Sequence, residues 1–446
     1  MKKVLTIAGS DSSGGAGIQG DLKTILSLGL FGTSAVTAVT AQSTLGVQSV
    51  SLLSAESVGQ QIDAVLSDIG ADAVKTGMLG NGDIVSMVCS KLKEHKAPSV
   101  VVDPVLFPKN GQALLNEDGV KRLVRELVPL ATVVTPNIPE AEILSGRQIK
   151  SVSDMKKAAE AISPGGPAIL IKGGHLEVEK KSAIDILWFG GRSYTFETER
   201  IDEQNTHGTG CVLSTALASS LARGEGVLDA VESAKRFVTD AIYGAMNLGK
   251  GQGPVNPASA AFRDGERYRV LLETEKAFDL LSKEEIGGLI PEIQSNLVVA
   301  LEGAKGVDEV IGFAARIIKS GSGVASLGRP VFGGSTHIAH IVLTAMNFDP
   351  DMRSAMNLRY SPDIISACEK LRFSISSFNR KDEPRDVQLK EGSSLEWGVD
   401  AAIKKLGRVP DIIYDTGGDG KEPVTRVLGK GPQEVARKVV AIRNAL

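Results

Sequence analysis

The chain has 446 residues, a length that predicts two or three domains. Its 42% hydrophobic and 23% charged residues are typical of globular domains, and a net charge of −3 argues against a nucleic-acid-binding surface. The sequence contains no apolar stretch that could span a bilayer and no secretory-signal pattern, and its three cysteines are scattered. We therefore expect a cytoplasmic protein that binds neither nucleic acid nor membrane.

The N-terminal half alternates predicted strands and helices. Its first strand, Val4–Ala8, is followed by a glycine-rich loop over Gly9–Gly17 and a helix over Ile18–Leu28. Further strands are predicted at 34–41, 73–75, 99–103, 132–135, 168–172 and 184–189, with helices between most of them. This alternation predicts a mostly parallel sheet with helices on both faces, which binds its ligands at the carboxyl ends of the strands.

A second glycine-rich loop, Asn205–Cys211, leads into an apolar helix over Val212–Leu221. Gly208 and Gly210 let the backbone approach a bound group closely, and the first amides of a helix attract negative charge. This junction predicts a site that stabilises a phosphoryl group in transfer. Cys211 lies in the first turn, where the same field favours its thiolate form. The alternative is an ordinary turn before a core helix.

The composition changes near residue 250. The segment Gly249–Pro257 is rich in glycine and proline and ends the first pattern. We predict one domain over 1–257, a linker over 258–267 and a second domain over 268–446. The second domain has predicted helices at 268–281, 307–311, 337–346, 362–370, 394–405 and 432–445, and strands at 312–318, 373–378, 412–415 and 424–428.

Both parts resemble enzymes of thiamine biosynthesis. Four segments in the first part, residues 8–19, 135–142, 172–175 and 205–211, resemble the hydroxymethylpyrimidine/phosphomethylpyrimidine kinases, which have a ribokinase-like three-layer α/β/α fold. Residues 326–330, 333–337 and 356–360 resemble the archaeal-type thiamine-phosphate synthase domain, a three-layer α/β/α fold like the aldolase-type epimerases. The resemblance implies that the first domain uses ATP and Mg²⁺ to phosphorylate 4-amino-5-hydroxymethyl-2-methylpyrimidine twice. It implies that the second domain then condenses the pyrimidine diphosphate with thiazole phosphate to give thiamine monophosphate and diphosphate.

The resemblance implies which residues contact the pyrimidine. They are Gly9, Asp21, Gln42 and Met78. The Gln42 amide both donates and accepts hydrogen bonds, which suits a ring amine beside a ring nitrogen. Each side chain also has a structural interpretation: Asp21 as a first-turn carboxylate, Gln42 as a turn residue and Met78 as core filling.

A further set is expected to bind the nucleotide and the metal. The nucleotide-binding residues are Asn137, Lys172, Thr206 and Thr209, and the water-mediated Mg²⁺ ligands are Asp103 and Glu140. The alternative for Asn137 and Glu140 is a helix cap, and for Lys172 a solvated strand end. The resemblance makes Cys211 the general base, in the place where other ribokinase relatives have an aspartate. His207 is expected to be structural.

The synthase chemistry requires cations and amides around a departing diphosphate. The candidates are Arg316 and His337 as catalytic residues and Arg329 and Arg359 as substrate-binding residues, with amides from residues 333–336. His340 is expected to be a core residue. The polar loop Asp415–Gly420 is either a substrate or metal site or an ordinary turn.

Three functions stay open at this point. The first is a bifunctional kinase and synthase, acting on small-molecule pyrimidine and thiazole phosphate substrates and assembling as a homodimer. The second is a kinase whose C-terminal domain senses a ligand without catalysis. The third is a kinase of another alcohol, such as pyridoxal. Gln42 and the cysteine-ended loop argue against exclusive use of that substrate and leave a side activity on it open.

Overall fold

The computed structural model describes residues 1–106, 114–163, 166–174, 182–384, 393–418 and 420–446. It divides into two compact units, Met1–Ala261 and Phe262–Leu446. Most of the stretch predicted as a linker belongs to one helix, Ser259–Ser282, so the connection is helical and the domain boundary stays a prediction. Within the described ranges, no helix is both long and apolar enough to cross a membrane.

The first unit contains one nine-stranded sheet. Its strands are β1 Lys3–Asp11, β2 Phe31–Ser43, β3 Gly46–Leu52, β4 Ala73–Thr76, β5 Val100–Val102, β6 Val133–Val134, β7 Ala168–Ile171, β8 Ser182–Phe189 and β9 Arg192–Glu199, in the order β3-β2-β1-β4-β5-β6-β7-β8-β9. Strands β2, β1 and β4 to β7 pair in parallel, whereas β3, β8 and β9 are antiparallel. The predicted mostly parallel sheet is confirmed, and the unpredicted β3 and β9 are its edges.

Helices cover both faces of this sheet. They are α1 Gly17–Ser27, α2 Ala55–Asp68, α3 Gly82–Glu94, α4 Glu117–Arg122, α5 Ile138–Ser145, α6 Val152–Ile162, α7 Thr209–Ala222 and α8 Val227–Tyr243. One buried cluster joins the sheet to α2, α3 and α6, and another joins it to α1, α7 and α8. The predicted three-layer α/β/α architecture is therefore confirmed for this unit. The parallel order also brings the carboxyl ends of the central strands to one edge, as ligand binding requires.

The second unit is also layered, around a mixed sheet. Its strands are β10 Leu297–Ala300, β11 Val310–Phe313, β12 Ile318–Ser320, β13 Gly323–Ala325, β14 Pro330–Phe332, β15 Ser354–Arg359, β16 Ile375–Ser377, β17 Ile412–Asp415 and β18 Val424–Gly429. Seven form the order β14-β11-β10-β15-β18-β17-β16, while β12 and β13 make a separate hairpin. Among the described strands of this second unit, only β16 and β17 pair in parallel.

Two helical layers enclose this sheet. Its helices are α9 Ser259–Ser282, α10 Thr336–Met346, α11 Pro362–Lys370, α12 Ser393–Leu406 and α13 Pro432–Ala445. Buried residues of α9, α11 and α13 pack on one face, and those of α10 and α12 pack on the other. The three layers agree with the predicted fold, and the likeness to aldolase-type epimerases stays a prediction.

The secondary structure predicted from the sequence is wrong for the segment after residue 306. The helix predicted at 307–311 is a short 3-10 turn, Val307–Glu309, and β11 begins at Val310. The strand predicted at 312–318 is the end of β11 and the start of β12, with Arg316 between them at a left-handed φ of 58°. The sequence also missed β10, because a short apolar run has no diagnostic periodicity.

Candidate active sites

The two glycine-rich loops of the first unit are packed against each other. A Cβ atom on Gly208 would lie 1.9 Å from the carbonyl oxygen of Gly15, and one on Gly15 would lie 2.5 Å from the Cδ2 atom of His207. Gly208 has a φ of 84° and is the N-cap of α7. Only glycine adopts this positive φ readily and also leaves room for the Gly15 carbonyl. The loop after β1 and the loop before α7 therefore pack together and form one site.

His207 connects these loops to the predicted pyrimidine contact Gln42. Its Nε2 atom lies 3.0 Å from Asp11 Oδ2 and 3.3 Å from Gln42 Nε2. Burial would raise the pKa of Asp11, but hydrogen bonds from His207, Ser13 and Ala16 outweigh it and lower that pKa. His207 therefore has the structural contacts that the sequence predicted. Asp11 was missed, although it is the one acid in the glycine-rich segment.

Two other predicted pyrimidine contacts lie side by side. A Cβ atom on Gly9 would lie 3.3 Å from Met78 Sδ. The carbonyl of Met78 accepts a 2.6 Å hydrogen bond from the Thr37 hydroxyl, which fixes the backbone there. The half-buried Met78 side chain lies beside Gly9, near the carboxyl end of β1.

Asp21, another predicted pyrimidine contact, forms a buried ion pair. Its carboxylate is fully buried, and the Lys75 ammonium lies 2.8 and 3.0 Å from its two oxygens. The Thr6 and Thr215 hydroxyls donate to the same carboxylate over 2.5 and 2.7 Å. Asp21 therefore pairs with Lys75 in this structure, and its contact with the pyrimidine stays a prediction. The sequence signal for Lys75, which was missed, is a lysine inside an apolar strand.

Cys211 lies in the first turn of α7, and its side chain is partly exposed. Burial raises the pKa of this thiol to about 11, and the negative charges of Asp21 and Asp103 add to that rise, while the Lys75 ammonium opposes it. The expected lowering of this pKa is wrong here, because burial outweighs the helix field and the lysine.

Charged groups gather near the start of α7. Lys172 Nζ lies 3.0 Å from Asp103 Oδ1, and the Thr135 hydroxyl donates to the same oxygen over 3.2 Å. A Cβ atom on Gly210 would lie 3.3 Å from Lys172 Nζ. Burial would lower the pKa of Lys172, but Asp103 and Glu140 outweigh it and raise that pKa. A positive charge therefore adjoins the anion-binding amides.

Glu140 and Asn137 cap α5, as the structural interpretation predicted. The Asn137 side chain accepts from the Glu140 amide, and the Glu140 carboxylate accepts from the Asn137 amide, both over 2.9 Å. Burial raises the pKa of Glu140 to about 7; Asp103 adds to the rise, and Lys172 opposes it. Asp103 and Glu140 are both buried, and both lie near Lys172. Their carboxylate oxygens are the hard donors that Mg²⁺ prefers, so these two residues fit the predicted metal.

The predicted nucleotide contacts Thr206 and Thr209 stabilise the loop itself. The Thr209 hydroxyl donates to the Thr206 carbonyl over 2.8 Å, and the Gln252 amide donates to the Thr206 hydroxyl over 2.8 Å. Both residues lie at the start of α7, and their contact with a nucleotide stays a prediction. His175, the last residue of the third resemblance segment, lies outside the described residues.

In the second unit, the sheet order gathers the predicted arginines at one edge. Arg316 follows β11, Arg329 precedes β14 and Arg359 ends β15. Because β11 is antiparallel to β14 and to β10, and β10 to β15, these three strand ends share an edge. All three arginines and His337, in the first turn of α10, are exposed. The structure therefore presents them to solvent.

Two buried asparagines, which the sequence did not single out, fix the backbone of this edge. Asn357 Oδ1 accepts from the Asn296 amide over 2.8 Å, and the Asn296 side chain donates to the Phe313 carbonyl over 2.7 Å. Arg316 and Arg359 donate to nearby carbonyls, those of Ile293 and Gly288. The available signal for Asn357 was its place in the resemblance segment 356–360.

Asp415, the first residue of the polar loop after β17, pairs with two arginines, and a substrate or metal site in the rest of this loop stays a prediction. Asp415 is fully buried, with Arg380 Nε at 2.7 Å and Arg426 Nη2 at 2.8 Å. Burial would raise the pKa of Asp415, but the two arginines outweigh it and lower that pKa. His340 is not the expected core residue, because its partly exposed ring contacts Glu396 over 2.6 Å.

The two units of the chain match two different protein families. Residues 11–256 match the phosphomethylpyrimidine kinase family, and residues 273–441 match the thiamine-phosphate synthase ThiN family. The chain belongs to the phosphomethylpyrimidine kinase family. It is 34% identical over 443 residues to the bifunctional thiamine biosynthesis protein ThiDN of Methanocaldococcus jannaschii, with 99% of this chain and 98% of that protein covered.

The kinase part has many single-domain relatives. A hydroxymethylpyrimidine/phosphomethylpyrimidine kinase of Bacillus subtilis is 46% identical over 255 residues, covering 57% of this chain and 94% of that protein. The first unit also matches an ADP complex of Bacillus subtilis pyridoxal kinase at 39% identity and a TM-score of 0.55, covering 58% of this chain and 99% of that chain. The family member described here is therefore a bifunctional thiamine-biosynthesis enzyme, a kinase followed by a thiamine-phosphate synthase, as the resemblance predicted.

Proposed function

We propose that the first unit transfers the γ-phosphoryl group of ATP to the hydroxymethyl oxygen of 4-amino-5-hydroxymethyl-2-methylpyrimidine, and then a second one to the monophosphate. The observation that carries this proposal is the interlock of Gly15 and Gly208, which fixes the free amides of α7 at the end of β1. Those amides stabilise charge on the phosphoryl group in transfer. Solved pyridoxal kinase relatives bind ADP and AMP-PCP, which supports ATP as the donor.

In the first transfer, the hydroxymethyl oxygen forms a bond to the γ-phosphorus while the bond to the ADP oxygen breaks. We assign the hydroxyl proton to the Cys211 thiolate. Gly9, Gln42 and Met78 orient the pyrimidine, since they lie together around the end of β1 and the loop containing His207. Holding the hydroxyl in line with the phosphorus is the main contribution expected of a kinase site.

Mg²⁺ is assigned to Asp103 and Glu140 through water. When bound, Mg²⁺ would neutralise charge on the phosphates. Lys172 lies beside Asp103 and Gly210, from which it reaches the phosphates as a point charge. A titration of kinase activity with Mg²⁺ tests the assignment: Asp103→Asn should require a higher Mg²⁺ concentration for half-maximal rate.

The second unit is assigned the joining reaction. The bond between the pyrimidine methylene carbon and the diphosphate oxygen breaks, and the thiazole nitrogen forms the new bond to that carbon. Arg316, Arg329 and Arg359 hold the departing diphosphate at their shared, exposed edge, and exposed His337 in the first turn of α10 is assigned to the same reaction. Arginine suits this role because its guanidinium makes paired contacts with phosphate oxygens.

A homodimer is our proposal for the assembly. Val50 and Leu52 of strand β3 are exposed, and Leu45, just before this strand, is 69% exposed. Strand β3 is also an edge of the sheet, so these three apolar side chains lie beside backbone groups that a second copy of the chain can pair with. Sedimentation velocity tests this: the wild type should sediment as a dimer, and Leu52→Glu should move it toward the monomer.

The experiment that tests the kinase assignment is product analysis with pyrimidine alcohol and ATP in the presence of Mg²⁺. Mass spectrometry should detect the monophosphate first and the diphosphate later. Detection of neither product by a folded, pure chain would contradict the proposal.

A further inference from the structure

Lys75 is a fully buried charge to which the mechanism above gives no task. It lies in β4, and its ammonium is within 2.8 and 3.0 Å of the two Asp21 oxygens. The Thr6 and Thr215 hydroxyls donate to the same carboxylate. The pair is therefore fixed by four elements, β1, α1, β4 and α7, and neither charge faces solvent.

Helix α7 connects this pair to Cys211. Cys211 and Thr215 are one turn apart on α7, so they share one helix face. The Thr215 hydroxyl donates a 2.7 Å hydrogen bond to Asp21. The ion pair therefore lies against α7 one turn from Cys211.

A gain in folding stability does not by itself explain why the chain buries the Lys75–Asp21 pair. Burying two charges costs desolvation free energy that their attraction often does not recover, and apolar replacements are frequently neutral or stabilising. A buried lysine next to a nucleophile has a different effect, because it favours the anionic form of that nucleophile.

We propose that Lys75 is a positioning residue of the kinase, whose buried ammonium, anchored by Asp21, stabilises the thiolate of Cys211 as the substrate hydroxyl loses its proton. This rests on the proposed role of Cys211 as the base. The charged groups near the thiol are Lys75 from β4, Asp21 from α1, Asp103 after β5 and Lys172 after β7. Asp21 and Asp103 raise the pKa of the thiol, and Lys75 lowers it.

Lys75 keeps its charge under working conditions. Burial would lower the pKa of its ammonium, but Asp21, Cys211 and Asp103 outweigh that effect and raise it well above 10.5. The positive charge is therefore permanent, and it opposes the rise in the pKa of the thiol that burial, Asp21 and Asp103 cause.

The test measures Cys211 directly, without relying on turnover. The full chain is treated with iodoacetamide between pH 7 and 9.5, and alkylation of Cys211 is followed by peptide mass spectrometry, which separates it from the buried Cys89 and Cys368. Below its pKa, the alkylation rate is proportional to the thiolate fraction. A rise of about one pH unit in the pKa therefore slows alkylation about tenfold at each pH.

Three variants make the result specific. Lys75→Met should slow alkylation about tenfold. Lys75→Met with Asp21→Asn leaves no unpaired buried charge, which protects folding, and it should slow alkylation less than Lys75→Met does, because the carboxylate that raises the pKa of the thiol is also removed. The matched control is Lys235→Met, which removes the buried lysine paired with Asp185 at 2.6 Å and should leave the alkylation rate unchanged. Unchanged alkylation in both Lys75 variants, or equal slowing in Lys235→Met, would overturn the proposal.

The pH profile of kcat/KM separates this inference from the proposed base. In Lys75→Met, the rise of kcat/KM with pH should move to higher pH together with the alkylation rate. Slower alkylation with an unmoved profile would uphold the charge coupling and contradict the role of Cys211 as the base. A profile that moves without any change in alkylation would contradict the coupling.

Discussion

A Cβ atom at position 208 would lie 1.9 Å from the carbonyl oxygen of Gly15, which is less than any packed contact allows. Gly208→Ala should therefore push the two loops apart and displace the α7 amides from the transferring phosphoryl group. We expect kcat of the kinase to fall roughly 10²–10³-fold, the scale of losing one aligned donor. The measurement is steady-state kinase activity at saturating substrates.

Gly224→Ala is the matched control for this change. Gly224 has a similar φ of 91°, but a Cβ atom there meets nothing within 4 Å. Both variants should lose about 1–2 kcal/mol from backbone strain, and only Gly208→Ala should lose kinase activity. Equal activity in the two variants would mean that the interlock is not needed for transfer.

Cys211→Ala tests the general base. We expect kcat to fall by roughly 10²–10⁴-fold, because a positioned base contributes that much. The anion loop uses backbone amides, so the affinities for nucleotide and pyrimidine should change little. Cys211→Asp should recover part of the rate, since an aspartate has this place in other ribokinase relatives. An alanine variant with normal turnover, under conditions where chemistry limits the rate, would exclude Cys211 as the base.

Arg316→Ala and His337→Ala test the second site. Each should reduce formation of thiamine monophosphate from supplied pyrimidine diphosphate at least 100-fold, about the effect of removing one charge-stabilising group. The kinase reaction should be unaffected, because it belongs to the other unit. Arg408→Ala, a change of another exposed arginine in the same unit, is the control and should retain synthase activity. Full synthase activity in both test variants would remove this edge from the mechanism.

Asp415→Asn tests the ion pairs of the second unit. Since folding lowers the pKa of Asp415, its stabilising effect is present above the ordinary value of 3.8 and declines as the pH falls below it. At pH 7 the variant should lose about 3 kcal/mol, the cost of leaving buried arginines without a counter-charge. Hydrogen exchange of β17 and β18 amides should show this loss at pH 7 and a smaller one below pH 3.8. A pH-independent difference would contradict the assignment.

The sequence predicted the parts of the kinase site that are local in the chain. The loops with Gly9 and Gly208 follow strands or precede helices, so their motifs and their place at one sheet edge could be inferred together. Lys75 had a local signal as a lysine inside an apolar strand, but its pairing with Asp21 could not be inferred, because the two residues are 54 positions apart and meet only in the folded unit. The same reason explains the error for the Cys211 thiol: helix position is visible in a sequence, whereas burial is not.

The second unit was less predictable for a different reason. Its mixed sheet has short strands, and a run such as Leu297–Ala300 carries no period that separates strand from helix. The grouping of Arg316, Arg329 and Arg359 depends on antiparallel neighbours that are distant in sequence. Arg329 and Arg359 lie in the resemblance segments, whereas Arg316 was a candidate because a departing diphosphate requires cations. The strand order then explained why the three arginines lie at one edge.

The central claim is that one chain carries out both phosphorylations and the joining reaction. The most direct measurement supplies the purified chain with pyrimidine alcohol, ATP, Mg²⁺ and thiazole phosphate and follows the products by mass spectrometry over time. We predict monophosphate, then diphosphate, then thiamine monophosphate. Accumulation of the diphosphate without thiamine monophosphate, under conditions in which an authentic synthase is active, would contradict the account and favour a ligand-sensing second unit.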